Sequence, residues 1–206
     1  MRTKYLLLFL TAVTLLVSCG GDDTPQPKPK AYLRIDMPHR HYVEVDTLRP
    51  TESPDMKPIP SPFHFIMNDY AILTRAKQNA SSTAIELYYP EWKGYVTMMY
   101  KHIRGTDDLR AQIDTAIRML SFHQQVASGI DETLIQAPDN HVYATVWSIS
   151  GRNVATTYQF IATDSTAHFL HGEIIIDQTP NNDSLAPMLE YMQTDVDNLI
   201  KTLRWR

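Results

Sequence analysis

The chain has 206 residues, 43% of them hydrophobic and 20% charged, a balance suited to one globular domain with a tail. A formal charge of −4 argues against nucleic acid as a partner. The single cysteine excludes an intramolecular disulfide and any metal site or framework built on several thiols.

The first segment carries Arg2 and Lys4, an apolar run from Tyr5 to Val17, then Ser18 and Cys19. This is the layout of an export signal, and a dozen apolar residues fall short of the ~20 that a membrane span takes. Leu16-Val17-Ser18-Cys19 resembles the lipobox of bacterial lipoproteins, which implies removal of residues 1–18 and acylation of Cys19 as the new N-terminus. Each buried methylene contributes ~0.8 kcal/mol, so several acyl chains on one cysteine hold a bilayer durably. Loss of Arg2 and Lys4 takes the charge from −4 to −6, which leaves membrane association to the acyl chains rather than to anionic lipid. An aspartate directly after the lipidated cysteine is the usual inner-membrane retention signal. Gly20 stands there, so the outer membrane is expected, facing the periplasm. The Asp22-Asp23 pair keeps surface export open as the other orientation.

Residues 19–31 read as a lipidated flexible tether, because Pro25, Pro27 and Pro29 alternate with polar residues and favour extended geometry at ~3.1 Å per residue. Residues 32–206 read as a single domain. Residues 32–36 alternate as a short edge strand, and Pro50, Pro54, Pro58, Pro60 and Pro62 mark a proline-rich loop at about 47–62. Residues 63–67 and 71–75 predict a hairpin across Asn68-Asp69, and residues 84–89 and 95–102 a second pair. A helix over 106–128 follows, with Thr106 as N-cap, Asp107 and Asp108 at its positive end and Gly129 as its stop. Its apolar stripe is Leu109, Ile113, Ala116, Ile117 and Leu120.

Residues 131–136, 141–150, 153–163 and 167–177 read as strands, the last three joined tightly enough to be antiparallel neighbours. The closing helix, 184–203, has Leu185, Met188, Leu189, Met192, Val196, Leu199, Ile200 and Leu203 at helical spacing. The order strands, helix, strands, helix gives an α+β fold, predominantly antiparallel sheet with two amphipathic helices; a PsbP-like sandwich is one architecture it allows.

Several segments together resemble the GldD-type gliding-motility lipoproteins: the lipobox, Ala31-Tyr32-Leu33-Arg34-Ile35-Asp36, Tyr158-Gln159-Phe160, the run from Thr163 to Gly172, Asp183-Ser184-Leu185-Ala186-Pro187, and Thr202-Leu203-Arg204-Trp205. The resemblance implies a membrane-anchored component of surface gliding linked to type IX secretion. Its partners would be other gliding or secretion envelope proteins, and it would have no cofactor and no known catalytic chemistry.

The residues themselves offer little catalytic machinery. His39 and His41 share a parity but lie near Pro38, while His168 and His171 point to opposite faces of a strand; both pairs read as surface histidines rather than metal ligands. Ser148 lacks the flanks of a nucleophile elbow. Glu86 and Asp114 read as solvated charges, and Met188 and Met192 as core filling. A sheet face combining aromatic and hydrogen-bonding groups is the better candidate: Tyr143, Trp147, Gln159, Phe169, His171 and Glu173 share it, and such faces suit a protein or glycan partner when no helix covers them. The expected function is a non-enzymatic interaction or assembly subunit. The alternative is a membrane-tethered cell-wall or glycan-directed enzyme or binding module.

Overall fold

A computed structural model of the protein describes residues 36–48, 57–78, 81–151, 154–177 and 182–206. Cys19, the tether and all of the expected strand at 32–36 except Asp36 lie outside them.

Ten strands are present among the described residues: β1 (Tyr42–Leu48), β2 (Ile59–Asn68), β3 (Ile72–Gln78), β4 (Ser82–Tyr89), β5 (Gly94–His102), β6 (Gly129–Ala137), β7 (Val142–Ser150), β8 (Thr156–Thr163), β9 (His168–Ile176) and β10 (Arg204–Trp205). Two α-helices accompany them, α1 (Thr106–His123) and α2 (Asn182–Thr202). Seven strands form one antiparallel sheet in the order β3-β4-β5-β9-β8-β7-β6, and β1-β2-β10 form a small second sheet. The fold is α+β and mostly antiparallel, as the element order predicts.

Strand alternation divides the large sheet into two unlike faces. Ile85, Met98, Phe160 and Val146 lie on the face that packs against α2 and the small sheet, in a core with Phe63, Phe65, Met192, Leu199 and Ile200. The opposite face packs under α1, where Ala116 and Leu120 meet Trp147, Ile149, Ile161 and Phe169. β8 lies between both layers, and all eight of its residues are buried. Every residue of the α2 stripe is buried, Met188 and Met192 included. Each such side chain contributes about 1.5–3 kcal/mol by leaving water.

The hairpin expected across Asn68-Asp69 does not form. β2 pairs with β1 and β10, while β3 pairs with β4, so the chain changes sheets at this turn. Asn68 organises the change: its Oδ1 accepts the Tyr70 N–H at 3.1 Å and its backbone carbonyl accepts that of Ala71 at 3.0 Å, while Asp69 N–H donates back to His41 O. The loop expected at 47–62 is strand at both ends, since Thr47 and Leu48 pair with Pro60 and Ile59. Between Val45 and Thr47 the register jumps from Phe65 to Pro60. Pro60 and Pro62 lack the N–H a regular ladder needs, which fits an irregularity at this point.

Helix α1 is shorter than expected. It stops at His123, whose carbonyl accepts N–H groups from Val126 and Ala127, and Gly129 opens β6 instead of closing the helix. Gly105 rather than Thr106 is the N-cap; its φ of 85° suits only a residue without Cβ, and Asp108 Oδ2 accepts the Arg104 N–H at 2.9 Å. Ile117 faces outward, because Leu109, Ile113, Ala116 and Leu120 already fill the contact stripe.

Two connections share one turn. Pro90–Trp92 between β4 and β5 and Pro138–Asn140 between β6 and β7 are single 3₁₀ turns, each followed by a left-handed residue, Lys93 and His141. The N–H of that residue donates to the proline carbonyl in both. Proline supplies the fixed φ for the first turn position.

Candidate functional site

The six residues expected to form a partner face lie on the α1 side of the large sheet. Cross-strand register aligns Thr97, Glu173, Gln159, Trp147 and Glu132 in one row, with Met99, His171, Ile161, Thr145 and Leu134 beside it. Helix α1 covers the middle of this face. Trp147 and Phe169 are buried in its core, and Gln159, at 0% exposure, donates from Nε2 to Ala116 O of the helix at 2.9 Å. Tyr143 lies beyond the helix and stays 40% exposed.

Beneath the edge of α1 the face turns polar. His171 and Glu173 line a groove of about 240 Å³ with Thr97, Glu86, Met99 and Met119. Burial, reinforced by the Lys101 ammonium, pushes the His171 imidazole down to about 4. Burial raises the Glu173 carboxyl, against the pull of His123 and of hydrogen bonds from Thr156 and Thr97. Gln159 Oε1, His171 Nε2 and Thr157 Oγ1 are buried without a hydrogen-bond partner among the described residues. Glu86 is tied by the Thr74 hydroxyl at 2.8 Å, while Asp114 is exposed on α1.

A second concavity, of about 620 Å³, opens on the other face between β6 and α2. Ser148, Tyr158, Glu190, Asp197 and Lys201 are among its lining. Tyr158 donates a short hydrogen bond to Asp197, and burial together with that carboxylate raises the phenol. Leu134 of β6 stands at its rim, 65% exposed.

His39 and His41 are exposed as expected, whereas His168 and His171 are half-buried on opposite sides of β9 rather than surface groups, because the small sheet and α1 cover the two faces of that strand. His41 Nδ1 pairs with Asp69 at 2.9 Å on the surface, and His168 stacks on Trp205 with ring centroids 5.1 Å apart while its Nδ1 meets the Tyr100 hydroxyl at 2.8 Å. Among the described residues no three His, Cys, Asp or Glu side chains converge as a metal site.

The most elaborate polar cluster escapes any sequence reading. Asp195 of α2, 4% exposed, accepts hydrogen bonds from Arg40 Nε at 3.2 Å, Tyr42 Oη at 3.0 Å, Asn68 Nδ2 at 2.9 Å and Tyr89 Oη at 3.0 Å. Arg40 also lies over the Tyr191 ring at 4.1 Å. Burial, then the Asp195 carboxylate, pushes Tyr42 up to about 12. These partners are 106 to 155 residues from Asp195, so no local pattern announces them.

The model of the gliding-motility lipoprotein GldD family matches residues 22–205. The chain belongs to this family. No curated protein and no solved structure matches it. Membership in the GldD family makes the protein a gliding-motility lipoprotein associated with the cell envelope. No helix among the described residues is long and apolar enough to cross a membrane. The Thr163-to-Gly172 run that carries the GldD resemblance is a built turn. Asp164 Oδ1 accepts N–H groups from Thr166, Ala167 and His168 at 2.8–2.9 Å, its Oδ2 accepts the Thr166 hydroxyl, and Thr163 Oγ1 donates to His168 O.

Proposed function

We propose that this protein is an outer-membrane lipoprotein, anchored through acyl chains on Cys19 and facing the periplasm, that serves the gliding apparatus and its type IX secretion machinery as a non-enzymatic interaction or assembly subunit. The family match over residues 22–205 carries this reading. Gly20 after Cys19 supports the outer rather than the inner membrane. Partner contact is assigned to the exposed rim of the expected face, at Tyr143, with Trp147, Gln159, Phe169, His171 and Glu173 supporting it from beneath α1. Phe122, 76% exposed on that helix, adds apolar surface of the kind that partners bury.

Two experiments test the reading. Mild crosslinking of the intact lipoprotein in membranes, with mass spectrometry of co-purified proteins, should recover gliding or secretion components; recovery of no envelope protein would sink the adaptor role. Cys19→Ala should abolish incorporation of labelled palmitate and release the protein from the membrane fraction, and label retained by that variant would place the attachment elsewhere.

One observation favours the alternative of a glycan-directed module or enzyme. Glu190 and Asp197 stand on the same face of α2 in the cleft beside β6, and paired carboxylates are the usual equipment for glycoside chemistry. Release of soluble fragments from purified cell-wall sacculi, lost in Glu190→Gln, would replace the adaptor reading with this one.

A further inference from the structure

Resting on the reading of the protein as an interaction subunit, we propose that the edge of β6, unpaired among the described residues, takes a basic, extended segment of a partner protein as an eighth strand of the large sheet, with alternate side chains of that segment entering the cleft beside α2.

The sheet edges differ in how well they can accept a strand. β3 is interrupted by a register shift between Leu73 and Arg75, β1 by one between Val45 and Thr47, and β10 has two residues. β6 pairs with β7 through nine consecutive residues, Gly129 to Ala137, with no shift. In an antiparallel ladder alternate residues turn N–H and C=O groups away from the existing partner, so a regular strand of this length presents a continuous template. Bulges blunt the other two long edges; β6 is left straight.

The surroundings of β6 also suit an added strand. Asp131, Thr133 and Ile135 face the α2 side by register with Ser148, Val146 and Ala144, and Thr133 and Ile135 line the 620 Å³ cleft. A neighbouring strand would therefore send every second side chain into that cleft, the arrangement by which strand addition gains specificity. On the other face its side chains would meet Leu134, an exposed apolar residue next to Tyr143 at the β6–β7 end of the sheet.

Charge selects the occupant. Asp131 beside the cleft and Glu190 and Asp197 within it outnumber Lys201, which favours lysine or arginine at the inward positions. A second copy of this chain would bring the same carboxylates against one another. Alternating prolines in the chain's own basic tether, Lys28 and Lys30 among Pro25, Pro27 and Pro29, favour polyproline geometry over a β-strand.

The test uses the full-length lipoprotein in detergent and a synthetic fluorescent nonapeptide alternating lysine with valine and threonine. Anisotropy should register binding, and hydrogen exchange should show protection appearing at alternate amides of β6. N-methylation of every second peptide nitrogen on the ladder side should weaken binding at least tenfold at unchanged charge. Charge reversal at exposed sites, Glu190→Lys with Asp131→Lys, should do the same while the circular dichroism spectrum is unaltered. Equal binding of the N-methylated peptide, or binding without β6 protection, would overturn the proposal. So would β6 protection that rises with protein concentration alone, which assigns the edge to a second copy, or cleft occupancy by cell-wall glycan fragments in place of peptide. None of these outcomes depends on the membrane crosslinking result, so the adaptor role and the strand-addition site stand or fall separately.

Discussion

Gly172 sits where β5, β8 and β9 meet, and a Cβ added there would lie 2.3 Å from Phe160 Cζ and 3.0 Å from Thr97 O. Phe160 is fully buried and cannot swing away, so the sheet must open to admit a methyl group. Gly172→Ala is expected to cost about 1–3 kcal/mol in urea denaturation, the range for overpacking a filled core. His171, next to it, points to the other face and gives a pH signature. Its folded pKa of about 4 lies below the ordinary value of 6.5, so the unfolded chain takes up a proton that the folded one refuses. Stability from this source is present above 6.5 and lost as pH falls toward 4, by about 3 kcal/mol in all. Glu173 acts in the opposite sense, since its raised folded pKa contributes stability at low pH that disappears as pH rises through it. His171→Gln should flatten the decline between 6.5 and 4, measured as unfolding midpoints across that window; an unchanged slope would assign the decline to other groups.

Among the elements, α2 is the one whose removal would disturb most. It presents Met192, Leu199 and Ile200 to the core and Asp195 to four donors from β1, β2, β4 and the segment before β1. Truncating that carboxylate leaves Arg40 only the carbonyl and ring of Tyr191, takes one of two acceptors from Asn68, and strips the buried Tyr89 hydroxyl of its acceptor. Asp195→Ala is expected to lower stability by about 3–5 kcal/mol, read from chemical denaturation, whereas a change under ~1 kcal/mol would mean that water replaces the carboxylate freely. The stripe of α2 is legible in sequence because one face of a helix repeats its apolar residues at a fixed interval. Asp195 is not, since it stands beside that stripe and its partners are distant in the chain. The same limit explains the misplaced hairpin: residues 63–67 and 71–75 have strand composition, but the side chain of Asn68, bonded to Tyr191 and Asp195, is what sends them to different sheets. The aromatic face likewise reads correctly as one side of a sheet. Its cover is decided by where α1 lands, which depends on tertiary packing such as the Gln159 bond to Ala116 O.

At the scale of the whole molecule, two cores share one sheet. Trp147 belongs to the layer under α1, while Trp92 and Trp205 report the layer under α2 and the small sheet. Because β8 is buried on both sides, neither layer can melt without exposing residues of the other. Variants retaining only Trp147 or only Trp92 should therefore give coincident fluorescence transitions in urea, matching far-UV circular dichroism. Separate midpoints would show that the layers unfold independently.

Arg40 and Tyr42 are among the earliest described residues, and both are fastened to Asp195 in the middle of α2. Tension arriving from the N-terminal side of the chain thus reaches the longest helix through a clasp of charged and phenolic groups before it reaches the ladder between β1 and β2. Arg40 precedes Tyr42 along the chain, so a tug on the leash meets its bonds to Asp195 and Tyr191 first, and Arg40→Ala should lower the rupture force in single-molecule pulling between the N-terminal side and α2.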